Sequence, residues 1–95
     1  MTSLPTVQIP IDGVLDLHNF NPRDLKRLIP DYLAACQEQN ISEIRIIHGK
    51  GTGALRDSVH AILRRQTQVK SFCLAPENRG SWGATLVYLI SRETT

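Results

Sequence analysis

Apolar and polar positions along this chain follow two periods. Over residues 11–17 the period is two. Leu15 and Leu17 share one face, while Asp12, Val14, Asp16 and His18 take the other, because side chains two apart lie on the same side of a strand. Asn21-Pro22 then starts a helix, with Asn21 as cap, Pro22 in the first turn and Asp24 three residues past the cap. Leu25, Leu28, Ile29, Tyr32, Leu33 and Cys36 recur at helical spacing. Pro30 falls inside that pattern and removes a backbone donor, which predicts a kink or break near residues 28–30. Residues 43–48 form a β-branched run and predict a second strand. Helical spacing resumes at Ala54, with Leu55, Val59, Ile62 and Leu63 on a buried stripe and His60 facing solvent. Residues 69–74 predict a third strand. Residues 84–90 are apolar on both faces and predict a fourth, central in its sheet.

The order is β-α-β-α-β-β. Two right-handed crossovers would place both helices on one face of a four-stranded mixed sheet, an α/β (α+β) two-layer sandwich. Residues 1–10, with two prolines and no helical period, read as an extended arm; residues 11–91 are the domain and 92–95 a short tail. A 95-residue chain can bury a sufficient core without staples. Apolar residues make up 41% and charged residues 21%, an ordinary globular balance. No apolar run nears the about 18 residues of a membrane span, and the start lacks a signal peptide's basic and apolar regions. A cytoplasmic protein with no membrane partner is expected. Cys36 and Cys73 sit in apolar runs without C-x-x-C spacing, so both read as buried reduced thiols.

The net charge of +2 excludes a polycationic tail, but the placement of charge is informative. Arg23, Lys26 and Arg27 fall on the first helix; Lys50, Arg56, Arg64, Arg65 and Lys70 follow the second strand; Arg79 precedes the last. This suits a modest number of phosphate contacts, and equally an ordinary solvated helix face.

Candidate chemistry concentrates at the ends of the first two strands. The Asp16 carboxylate can hold or polarise the His18 imidazole or a neighbouring one; strand-end polar groups also satisfy loop backbone. His48 ends the second strand, where it can act as general acid or base, or bond the backbone of the loop that follows. That loop, Gly49-Lys50-Gly51-Thr52-Gly53, opens a helix whose exposed N–H groups and dipole favour an anion, although a tight turn alone accounts for its glycines. It matches neither the nucleotide-binding P-loop nor the dinucleotide fingerprint. Trp82, beside Arg79, can stack on an unpaired base or cap the sheet's edge. Asp16, His18 and His48 together make a conceivable ligand set, but the third acidic residue of two-metal nucleases is missing. No metal site is assigned. Acid–base hydrolysis needs no cofactor beyond, at most, an auxiliary divalent cation such as magnesium or manganese.

Three motifs, Leu15-Asp16-Leu17-His18, His48-Gly49-Lys50-Gly51 and Gly80-Ser81-Trp82-Gly83-Ala84-Thr85, in that order and at these separations, resemble the Smr (small MutS-related) domain family. The resemblance covers roughly residues 11–90 and suggests a stand-alone member, with no ATPase or coiled coil attached. It implies the fold of the C-terminal domain of bacterial translation initiation factor three, with the last strand antiparallel and between the second and third. It also implies nucleic-acid binding and, as in several members, nicking of DNA or RNA. The family's functional positions correspond to Asp16, His18, His48, Gly49 and Gly51. Asn19 and Ser81 depart from the family pattern, which has glycine at both places.

The expected function is therefore structure-selective nucleic-acid binding with endonuclease activity. Asp16, His18 and His48 are the catalytic candidates, and Gly49, Lys50, Gly51, Thr52, Gly53, Arg56, Arg79 and Trp82 the nucleic-acid contacts. The alternatives are a non-catalytic module for branched or single-stranded nucleic acid and, outside that class, a protein–protein adaptor.

Overall fold

The computed structural model of the chain describes residues 10–49, 53–76 and 83–90. Its elements follow the expected order: β1 (Val14–Asp16), α1 (Leu25–Glu38), β2 (Glu43–Ile47), α2 (Ala54–Arg64), β3 (Val69–Leu74) and β4 (Ala84–Leu89). Two 3-10 turns, Leu17–Asn19 and Pro22–Asp24, join β1 to α1. The sheet order is β1-β2-β4-β3. β1 and β2 are parallel, and β4 runs antiparallel to both of its neighbours. The apolar run of the last strand thus lies in the middle, with every residue but Tyr88 buried.

One face of the sheet carries the core. Leu15, Ile44, Ile46, Val87 and Leu89 meet Leu28, Ile29, Leu33 and Cys36 of α1 and Val59 and Leu63 of α2 in a single cluster. Both helices therefore cover the same face, as the two-layer expectation required. On the opposite face a small cluster gathers Ala75, Ala84 and Leu86, with Ile47 and Tyr88 packed against it.

Local polar groups shorten β1 from the expected seven-residue span. At its start Gly13 takes a left-handed φ of 90°, and the Asp12 carboxylate accepts the Val14 N–H at 3.0 Å. At its end the Asp16 carboxylate accepts the His18 N–H at 3.0 Å and turns the chain into a 3-10 turn. Such side-chain-to-backbone bonds compete with the strand ladder. The inside–outside alternation nevertheless survives, with Leu15 and Leu17 buried and Val14, Asp16 and His18 exposed. Tyr32 of α1 pins the strand's entry. Its hydroxyl accepts the Gly13 N–H at 3.1 Å and donates to the Val14 carbonyl at 3.2 Å, and burial above all pushes the phenol up to about 12.

Three expectations need correction. Of the kink or break expected near residues 28–30, the break does not occur: α1 runs continuously from Leu25 to Glu38. Proline removes one helical bond, that to the Lys26 carbonyl, and six buried side chains hold the helix regardless: Leu25, Leu28, Ile29, Tyr32, Leu33 and Cys36. Cys73 is exposed rather than buried, because β3 is an edge strand and Cys73 pairs with Leu86 on the face away from the helices. His60 does not face open solvent; it is half-buried against β3 and β4.

Candidate nucleic-acid interface

Asp16 and His18 form a pair at the end of β1. The carboxylate Oδ1 lies 2.5 Å from His18 Nδ1 while also accepting the His18 backbone N–H, so one oxygen fixes both the turn and the ring. The side chains of His18 and Asp16 are 66% and 55% exposed, so solvent screens their charge but leaves the imidazole accessible. The His18 backbone N–H, followed by the bond and charge of its ring, holds the Asp16 carboxyl below its ordinary 3.8.

His48 stands in a different setting. The register pairs Asp16 with Ile47, so alternation sends Asp16 to the helix-free face and His48, one residue further, to the helix face. There His48 is 6% exposed. Its Nδ1 lies 3.0 Å from the Gly49 carbonyl and its Nε2 lies 2.9 Å from Thr85 Oγ1. The backbone N–H groups of His48 and Gly49 both donate to the Gly83 carbonyl, at 2.9 and 2.8 Å, and fix the loop's entrance to β4. Asp16 therefore orients His18 and not His48. With both His48 nitrogens engaged elsewhere, the three residues do not converge as metal ligands in this arrangement.

Thr85 and His60 complete the buried group, and sequence reasoning missed both. Thr85 is fully buried on β4, and its hydroxyl meets His60 Nε2 at 2.8 Å as well as His48. The His48 and His60 rings stand edge to face with centroids 6.3 Å apart, and His60 packs on Phe72 at 4.9 Å. Burial, then the neighbouring His48, Arg64 and Arg56, holds the His60 imidazole below its usual value. One clue was available: Thr85 is the only aliphatic hydroxyl within an otherwise apolar or aromatic strand.

The glycine loop meets α2 at Gly53, whose φ of 94° is left-handed. A Cβ there would lie 2.6 Å from Arg56 Nη2, so the Arg56 guanidinium folds back over the start of the helix. Arg56 also pairs loosely with Asp57 at 3.3 Å, but both are exposed enough for the pair to contribute little. A cleft of ≈ 410 Å³ opens at this helix start, lined by Pro22, His48, Gly49, Gly53, Arg56 and Ser58 among others. Pro22 joins the rim from the segment that carries His18. Lys50, Gly51, Thr52, Arg79 and Trp82 lie outside the described residues.

The two-layer fold, with polar residues at the strand ends and a glycine-bounded loop before α2, defines a small α/β domain. The family model of the Smr domain matches residues 15–90, and the chain belongs to that family. Endonuclease MutS2 of Carboxydothermus hydrogenoformans is 41% identical over 75 residues, covering 79% of this chain and 10% of that protein. Endonuclease MutS2 of Thermomicrobium roseum is 35% identical over 89 residues, 94% of this chain and 11% of that protein. The chain thus spans about a tenth of the length of the curated relatives it matches. Among solved structures, the Smr domain of Thermus thermophilus MutS2 superposes with a TM-score of 0.77 at 34% identity, covering 83% of this chain and 99% of that one. The Escherichia coli small MutS-related protein YdaL shares the fold, with a TM-score of 0.69 at 22% identity over 81% of this chain and 63% of that one. No described helix is long and apolar enough to cross a membrane.

Proposed function

We propose that this domain binds DNA or RNA through its phosphates and hydrolyses phosphodiester bonds, selecting structure rather than sequence. The observation that carries the reading is the Asp16–His18 pair: an accessible imidazole fixed by a carboxylate at 2.5 Å, on the segment that rims the cleft at the start of α2. With Nδ1–H donated to Asp16, a neutral His18 has a bare Nε2. That nitrogen takes a proton from an attacking water as its oxygen bonds to phosphorus, the P–O bond to the leaving sugar oxygen breaks, and solvent protonates that oxygen. Asp16 holds the tautomer and steadies the imidazolium. His48, with both nitrogens engaged, serves by holding the glycine loop.

The helix start supplies the phosphate site. A guanidinium at the positive end of a helix dipole is unfavourable until an anion arrives, so Arg56 over Gly53 favours a phosphate there. Lys50, Gly51, Thr52, Arg79 and Trp82 are proposed to extend the contact along the strand. Relatives named endonucleases support hydrolysis rather than binding alone.

The test uses supercoiled DNA and structured RNA, each with and without magnesium or manganese. The chain should nick at least one substrate. His18→Ala should lower the rate by about 100-fold or more while binding holds within a few-fold. If the variant cleaves as fast as the parent in preparations free of contaminating nuclease, the assignment of His18 is wrong. Binding without cleavage by the parent would leave the non-catalytic module in its place.

A further inference from the structure

The buried group has one self-consistent pattern of protons when both rings are neutral. The Gly49 carbonyl can only accept, so His48 Nδ1, 3.0 Å away, carries a hydrogen. A neutral imidazole has one N–H, so His48 Nε2 is bare and receives the Thr85 hydroxyl proton across 2.9 Å. Thr85 has no second proton, so His60 Nε2, 2.8 Å from the same oxygen, must donate. The chain then runs one way: His60 Nε2–H to Thr85 Oγ1, Thr85 O–H to His48 Nε2, His48 Nδ1–H to the Gly49 carbonyl. Thr85 is fully buried, so its hydroxyl is bonded by protein groups rather than by bulk solvent.

We propose that His60 is a positioning residue which, through Thr85, locks His48 in the Nδ1–H tautomer and thereby fixes the Gly49 peptide at the mouth of the glycine loop. The tautomer rests on geometry alone; its consequence for ligand binding rests on the reading of that loop as a phosphate site. Gly49 has a left-handed φ of 85°, and among the described residues a Cβ there would meet nothing within 4 Å. A peptide in that conformation with its carbonyl tied to His48 is held at a single orientation. Without the tie, the backbone bonds that hold the loop's entrance among the described residues are the two to Gly83.

Burial and the neighbouring cations favour a neutral His60, with Asp57 acting the other way. His60 faces His48 from β2, Arg56, Asp57 and Arg64 on its own helix, and the uncharged Phe72 ring from β3. A proton added to His48 Nε2 would reverse the chain. Thr85 would then accept from His48 and turn its own hydrogen to His60 Nε2, which must give up its proton and carry one on Nδ1 instead.

Long-range proton–nitrogen NMR on the labelled chain near neutral pH reads both tautomers directly. His48 is expected as Nδ1–H and His60 as Nε2–H. Thr85→Ser should preserve both, whereas Thr85→Val should leave His48 a mixture of tautomers. In parallel, affinity for a fluorescein-labelled single-stranded oligonucleotide should fall about tenfold in Thr85→Val and in His60→Phe, and recover in Thr85→Ser. A wild-type His48 in the Nε2–H form overturns the proposal, as does an unchanged His48 tautomer in a folded Thr85→Val. Should the valine variant fail to fold, the wild-type tautomers still decide. If they are as expected but the wild-type chain binds no oligonucleotide, the phosphate reading of the loop falls while the chain of bonds stands.

Discussion

His18 and His48 follow the ends of neighbouring parallel strands, yet they occupy opposite physical regimes. The His18 side chain is 66% exposed and leans on a carboxylate two residues away. His48 is 6% exposed and leans on a neutral hydroxyl 37 residues away. An ion pair in solvent contributes little to stability but keeps an imidazole oriented and reachable. A buried hydroxyl bridging two imidazoles is bonded by protein groups, and with both rings neutral each proton in it has one place. The first arrangement suits turnover and the second suits architecture, although the residue type is the same.

The largest expected effect that separates the two regions is on stability. Thr85→Val removes a fully buried hydroxyl and leaves His48 Nε2 without its donor, a loss of about 1–3 kcal/mol. Asp16→Asn keeps an oxygen to accept the His18 N–H and changes only exposed charge, so it should stay within about 0.5 kcal/mol. Urea unfolding of both variants beside the parent measures the difference. Equal losses would erase the distinction drawn here between an accessible pair and a buried chain.

A second comparison sits at the two ends of the glycine loop. Gly49 and Gly53 both have left-handed φ, so alanine at either should strain the backbone by about 1–2 kcal/mol. They differ in what the new methyl meets among the described residues: nothing within 4 Å at Gly49, the Arg56 guanidinium at 2.6 Å at Gly53. Arg56 is a flexible side chain and will swing aside. Gly53→Ala should therefore also lose a phosphate contact and flatten the log–log salt dependence of nucleic-acid binding by about one, whereas Gly49→Ala should leave that slope alone. Identical slopes in the two variants would remove Arg56 from the interface.

Much of this was legible in the sequence, and the parts that were not share a cause. Period-two alternation located β1, β-branched and apolar runs located the other three strands, and helical spacing located both helices and every buried residue predicted on α1, because each signal is local. The Asp16–His18 pair was legible for the same reason, being two residues apart. His60 was misread as a surface residue because helical spacing sets it off the stripe of Val59 and Leu63, and nothing nearby in sequence marks its partner. Only the β2–β4 and β3–β4 registers bring Thr85 and Phe72 up to it. Cys73 failed likewise, since an apolar run does not reveal that its strand is an edge. Pro30 misled in the other direction: the cost of one missing helical bond was clear, but the six buried anchors that outweigh it were not weighed against it.

The smallest expected effect is in the pH dependence of stability, where both regions act in the same direction but in different windows. The His60 imidazole is held below its ordinary 6.5, first by burial and then by His48, Arg64 and Arg56. Between the folded and unfolded values the unfolded chain binds more protons, so stability rises with pH there. The His60 contribution is complete above about 6.5 and is lost as pH falls through the folded value. Asp16 is held below 3.8, chiefly by the His18 backbone N–H, so its contribution is complete above 3.8 and is lost in stronger acid. Its exposure keeps that second contribution small. Subtracting the pH profile of His60→Phe from that of the parent should leave a difference that is flat above about 6.5 and shrinks below it. The same subtraction with Asp16→Asn should be flat until below 3.8. A His60 difference that instead grows on acidification would mean that the folded protein prefers a charged His60, and the one-way chain of neutral rings could not then be its resting state.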